Sequence, residues 1–167
     1  MTTTFIRMSL LLCLSQNSLL AAGSAQAAFD LFKSLKGTWT IQSGDKTLPF
    51  KMTYDTRSKN SIVTEYFGSE LSVFYRDGET LLMTHFCNAG NQPRLRLKEN
   101  SPPGYFEFEM FDITGLKDLQ GGAHVQRAIY RAVNDRQMGL ELVWKKGNSL
   151  ESEKYVLRRD GLLPSEH

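Results

Sequence analysis

The chain is 167 residues long, with 20 basic and 18 acidic side chains. That length supports one domain with a real core. The near-balance of charge argues against nucleic acid as a partner, because such binders carry a clustered basic face.

The first residues read as a secretion signal. Arg7 precedes a short apolar run, MSLLLCL at 8–14, and SAQA at 24–27 places small residues at Ala25 and Ala27, the pattern that signal peptidase cuts. Ser15, Gln16, Asn17 and Ser18 interrupt the apolar run, and a spanning helix needs about 20 mostly apolar residues. The expectation is a signal peptide over 1–27, a single domain over 28–161, a loose tail over 162–167, and an exported protein, periplasmic or secreted, with no stable membrane anchor after cleavage. Cys13 lacks the small residue expected before a lipid-modified cysteine. Cleavage removes Arg7 and Cys13, leaving 19 basic against 18 acidic side chains and Cys87 as the only thiol. A lone cysteine in an exported protein is a buried inert thiol, an intermolecular bridge or a reactive group.

FDLFKSLKG at 29–37 predicts one short helix, with Phe29 and Phe32 on one side, Asp30 near its positive end and Gly37 as its stop. Strands are predicted at 38–43, 48–54, 61–67, 71–87, 93–99, 105–111, 124–133, 138–144 and 152–159. The 71–87 run divides into two strands at Asp77-Gly78, a strong hairpin signal. TRSKN at 56–60 and SPPG at 101–104 read as turns. DITGLKDLQGGA at 112–123 has no clear period and reads as a loop or short helix at a rim. The fold class is therefore all-β: an up-and-down antiparallel barrel of about ten strands with a short N-terminal helix. A meander of that many strands leaves exposed edges unless it closes, and a closed barrel above the minimal packed size holds a ligand.

LKGTW at 35–39 supplies Gly37 and Trp39, the G-x-W signature, and in this respect the chain resembles lipocalins and related calycin barrels. The resemblance implies that Trp39 closes one end of the barrel and that an Arg of the last strand, Arg158 or Arg159, packs across its ring. The disulfide and long C-terminal helix of lipocalins are not evident in this sequence. MTHFCNAGNQPRLR at 83–96 resembles a segment of a bacterial exported family of lipocalin-like barrels that share a GTW start and a DG hairpin. That likeness implies a fold and a compartment, and no activity.

The same stretch carries the candidate site. Residues two apart on a strand share a face, so His85 and Cys87 point the same way as Leu81 and Met83. Four readings stand side by side: core packing; a barrel mouth offering polar groups to a ligand; a metal or haem centre of His85 and Cys87 joined by His124, where zinc needs three or four ligands at defined distances; and a Cys87 nucleophile. The leading functional expectation is an exported barrel that binds a small apolar or amphipathic molecule through His85, Cys87, Asn88, Asn91, Gln92 and His124, with Tyr75 and Trp144 as walls and no metal or cofactor. The alternatives are an enzyme using the His85/Cys87 region and a non-catalytic interaction module. Glu65 shares its strand face with Val63 and Phe67; if that face is internal, its carboxylate needs a partner such as an Arg.

Overall fold

The computed structural model describes residues 25–99, 101–117 and 122–161. Residues 1–24 of the expected signal and the 162–167 tail lie outside them. Helix α1 (Ala25–Ser34) precedes ten strands: β1 (Gly37–Ser43), β2 (Lys46–Arg57), β3 (Ile62–Phe67), β4 (Glu70–Asp77), β5 (Thr80–Phe86), β6 (Gln92–Leu97), β7 (Tyr105–Thr114), β8 (His124–Asn134), β9 (Gln137–Lys146) and β10 (Ser149–Arg159). Each strand pairs antiparallel with its sequence neighbours, and β10 returns to β1, closing the barrel. No described helix is long and apolar enough to cross a membrane.

Alternation sets the inner face. Val63, Phe74, Leu81, Met83, Leu95, Phe108, Tyr130 and Leu157 are buried at two-residue spacing, while Arg94 and Arg96 point to solvent. Glu107 lies on the outer face of β7, covered by Lys98 and Arg127. Register shifts interrupt the period in three strand pairs, β1–β2, β6–β7 and β8–β9. Arg94 pairs with Asp112 but Leu95 with Met110, so Phe111 is the extra residue of β7. It lies exposed under the guanidinium groups of Arg94 and Arg96. This shifted phase explains why the segment after Phe111 shows no period in sequence although the strand continues to Thr114.

Helix α1 plugs one end. Phe32 is fully buried, stacked on Phe74 with ring centroids 4.2 Å apart and edge-on to Phe106, Phe108 and Tyr130. The helix starts four residues before the predicted boundary, because Ala-Gln-Ala-Ala is itself good helix-forming sequence. Asp30 consequently sits mid-helix. It pairs with Lys33 at 2.5 Å and accepts from Gln26, so its charge does not meet the helix dipole at the first turn.

The same end is sealed around Trp39. Its indole N–H donates to the Leu35 carbonyl at 2.8 Å, and the Arg159 guanidinium lies 4.4 Å from its ring centroid. Arg159 also donates to the carbonyls of Lys36, Ser34 and Asp135. Gly37 holds φ +128°, a backbone region that side chains strain. Of the two candidate arginines, Arg159 takes the closing position. Arg158 points away, to Gln42 and Gln137 on the outer surface.

Candidate functional site

The end opposite helix α1 gathers the turns after β3, β5 and β9. The β4–β5 hairpin positions the chemistry. From the Asp77–Thr80 pair the register advances one residue per strand, bringing Ser72 opposite His85 and, one step past Leu71–Phe86, Glu70 beside Cys87. Leu81, Met83 and His85 are buried while Phe86 is exposed, so the His85/Cys87 face is the inner one.

A polar track climbs this inner wall. Glu65 is buried midway along the barrel, and its partners are tyrosines rather than an arginine. Tyr54 Oη donates to it at 2.7 Å, and Tyr130 Oη lies 3.1 and 2.9 Å from its two oxygens. The Ser72 hydroxyl is a further donor to Glu65. Burial pushes the Glu65 carboxyl above the usual range, partly offset by these three donors. The Ser72 oxygen in turn lies 3.1 Å from His85 Nδ1. His85 Nε2 faces Glu70 Oε2 at 3.7 Å, and the Cys87 thiol donates to Glu70 Oε1 at 3.5 Å. Burial pulls the His85 imidazole below its ordinary value and so favours the neutral ring, against the opposing pull of the Glu70 charge. Burial likewise pushes the Cys87 thiol up, and the adjacent Glu70 charge adds to this.

Above the track lies an open concavity of about 270 Å³, lined by Glu70, Cys87, Ala89, Ala123, Trp144, Lys146 and Glu153. Trp144 donates its indole N–H to Glu153 at 3.0 Å, and Glu153 also accepts from Tyr155. The His85 ring meets Trp144 edge-on at 6.4 Å. His85, Cys87 and Trp144 are thus brought together.

The other expected site residues are placed differently. Asn88, Asn91 and Gln92 use their side chains to tie the β5–β6 turn to its surroundings. Asn88 bonds Ser69, Asn91 donates to the Ala123 carbonyl, and Gln92 bridges the Gly90 carbonyl to Thr114. Gly90 closes this turn with φ +84°. Tyr75 alternates with the internal Phe74 and so lies on the outer face, its hydroxyl beside Thr84. His124 would share the inner face of Ala128 and Tyr130 by simple alternation. The bulge between Val125 and Arg127 reverses that phase. Val125 pairs with Trp144 and turns inward, whereas His124 pairs with Lys145 on the outer face and bonds the Gly122 carbonyl.

Sequence reasoning missed Glu70 and Ser72. The signal was present, since counting back from the Asp77-Gly78 turn places both on the wall facing Cys87 and His85. Comparison with protein-family models and with curated proteins finds no match.

Proposed function

We propose that the chain is an exported, lipocalin-like barrel that binds a small apolar or amphipathic molecule at its open end. The observation that carries this reading is the concavity of about 270 Å³ opposite the helix plug, with Trp144 as its apolar wall and Glu70, Lys146 and Glu153 around it. A mostly apolar hollow with a few placed polar groups is what a small-molecule site needs. An aromatic wall takes the apolar body of the ligand, and the charged side chains take its polar end. The G-x-W pair with Arg159 over Trp39 supports the lipocalin-like reading. The state of the cysteine favours binding over catalysis. The nucleophilic form of cysteine is the thiolate, and burial together with the neighbouring Glu70 carboxylate disfavours that form at Cys87.

Intrinsic fluorescence tests the proposal directly. The chain has two tryptophans, and Trp39 is fully buried at the sealed end, so a ligand-dependent change reports Trp144. Lipids, haem and hydrophobic dyes are titrated against the protein. A saturable change that raises the melting temperature and disappears in Trp144→Ala supports the reading. No response to any of the three classes overturns it.

A further inference from the structure

We propose that Glu70, His85 and Cys87 form a binding site for one divalent cation of the zinc class, with a fourth coordination position open to the concavity.

The three side chains each offer one ligand atom, and these atoms lie within 4.8 Å of one another. Metal–ligand bonds of about 2.0–2.3 Å in a tetrahedral site put neighbouring ligand atoms about 3.5 Å apart. The Glu70 carboxylate faces both other ligands, through Oε1 to Cys87 Sγ at 3.5 Å and through Oε2 to His85 Nε2 at 3.7 Å. Small side-chain rotations would bring one oxygen, the sulfur and the nitrogen around a single cation.

A second observation points to the same place. His85 is 4% exposed, and its Nε2 is a buried nitrogen without a hydrogen-bond partner. Buried ring nitrogens are normally paired, and this one is aimed at Glu70. The other ring nitrogen, Nδ1, lies 3.1 Å from the Ser72 hydroxyl. In the tautomer with its proton on Nδ1, the ring donates to Ser72 and presents a bare lone pair at Nε2. Metal-bound histidines are held in this way, with the far ring nitrogen donating to a fixed acceptor.

The donor set selects the cation. One thiolate, one imidazole and one carboxylate suit zinc better than the hard cations, which prefer oxygen ligands alone. On binding, the Cys87 thiol releases its proton to solvent, and its hydrogen bond to Glu70 is replaced by coordination. Thiolate and carboxylate then neutralise the two charges of the cation at a largely buried position. Glu70 and Cys87 also line the concavity, so the fourth position is accessible to water or to a donor atom of a bound molecule. The cation needs no organic ligand, so this inference stands or falls apart from the small-molecule reading.

The test uses the full chain carrying Cys13→Ser, so that Cys87 is the only thiol, with Co2+ and Zn2+ as probes. One equivalent of Co2+ is expected to produce a thiolate-to-metal charge-transfer band in the near ultraviolet, and Zn2+ is expected to displace it. Cys87→Ser removes the band. His85→Gln and Glu70→Gln each weaken binding by about tenfold or more, as loss of even an outer-shell partner does. His124→Gln, on the outer face, leaves binding unchanged. Far-UV circular dichroism and a cooperative melt verify that each variant folds, and Cys87→Ser is nearly isosteric. Absence of the band in the parent chain overturns the proposal. So does undiminished affinity in folded His85→Gln and Glu70→Gln, or equal loss in His124→Gln.

Discussion

Tyr130 on β8 reaches across the barrel to Glu65 on β3, its hydroxyl 2.9 and 3.1 Å from the two carboxylate oxygens. The two residues are 65 positions apart in sequence, and only closure of the sheet brings them together. Tyr54, from the strand next to β3, completes a clamp on the same carboxylate at 2.7 Å. Both phenols are fully buried and have their acidities suppressed by burial and by the neighbouring carboxylate. They therefore remain neutral donors.

This clamp predicts a pH dependence of definite sign. Burial raises the folded-state value of Glu65 above the ordinary 4.5. The folded protein then binds the proton more tightly than the unfolded chain does. Glu65 contributes its full stability below 4.5 and loses that contribution as pH rises through the raised folded value. Asp55, Asp160 and Glu141, each held below the usual range by hydrogen bonds and nearby cations, act in the opposite sense. Those groups are common to the parent and to Glu65→Gln, so the difference between the two isolates Glu65. Urea unfolding across a pH series is expected to show the parent losing stability relative to Glu65→Gln from pH 4.5 upward. A difference that stays flat or grows with pH contradicts the buried-carboxylate account.

Much of this architecture is readable from sequence, and the failures have local causes. The DG turn sets the β4–β5 register, and alternation puts His85 and Cys87 on one face; both faces of that strand are partly apolar in sequence, so burial in the folded barrel is what identifies theirs as the inner one. Alternation ties Glu65 to the face of Val63 and Phe67, which the folded barrel turns inward. Its partners do not follow from sequence, because the Tyr130 contact depends on barrel closure. His124 is misassigned because one extra residue between Val125 and Arg127 reverses every side chain before it. A period-2 reading cannot register such a bulge. Asn88, Asn91 and Gln92 resemble ligand contacts in composition, but their amides are taken up by Ser69, by the Ala123 carbonyl, and by the Gly90 carbonyl with Thr114, partners that the local sequence does not reveal.

The sealed end distinguishes two adjacent arginines. Arg159 combines a position over the Trp39 ring with donation to three carbonyls. Lysine retains the charge but has a single nitrogen and no planar fork. Arg159→Lys is expected to lower unfolding stability by about 1–3 kcal/mol, the scale of hydrogen bonds from a charged donor together with a cation–π contact. Arg158→Ala removes only exposed bonds to Gln42 and Gln137, and is expected to cost no more than about 0.5 kcal/mol. Chemical denaturation of the two variants measures both. Equal costs would show that the guanidinium over Trp39 has no special part in closing the barrel.

Ser72 is the hinge between the buried clamp and the open end, and its replacement separates a positioning role from simple packing. Ser72→Ala leaves His85 Nδ1 without its hydrogen-bond partner. The expected loss of stability is about 1–3 kcal/mol, the penalty for stranding a buried polar group. A packing role would stop there. If Ser72 fixes the His85 tautomer, Zn2+ affinity also falls, by about 10- to 100-fold, and Ser72→Thr, which keeps the hydroxyl, recovers it. Met83→Leu is the comparison: it lies on the same inner wall, conserves volume, and is expected to cost less than about 1.5 kcal/mol with no change in affinity. Calorimetric titration of the three folded variants decides the matter. Unchanged Zn2+ binding in Ser72→Ala would mean that the track from Glu65 to His85 does not set which ring nitrogen is free.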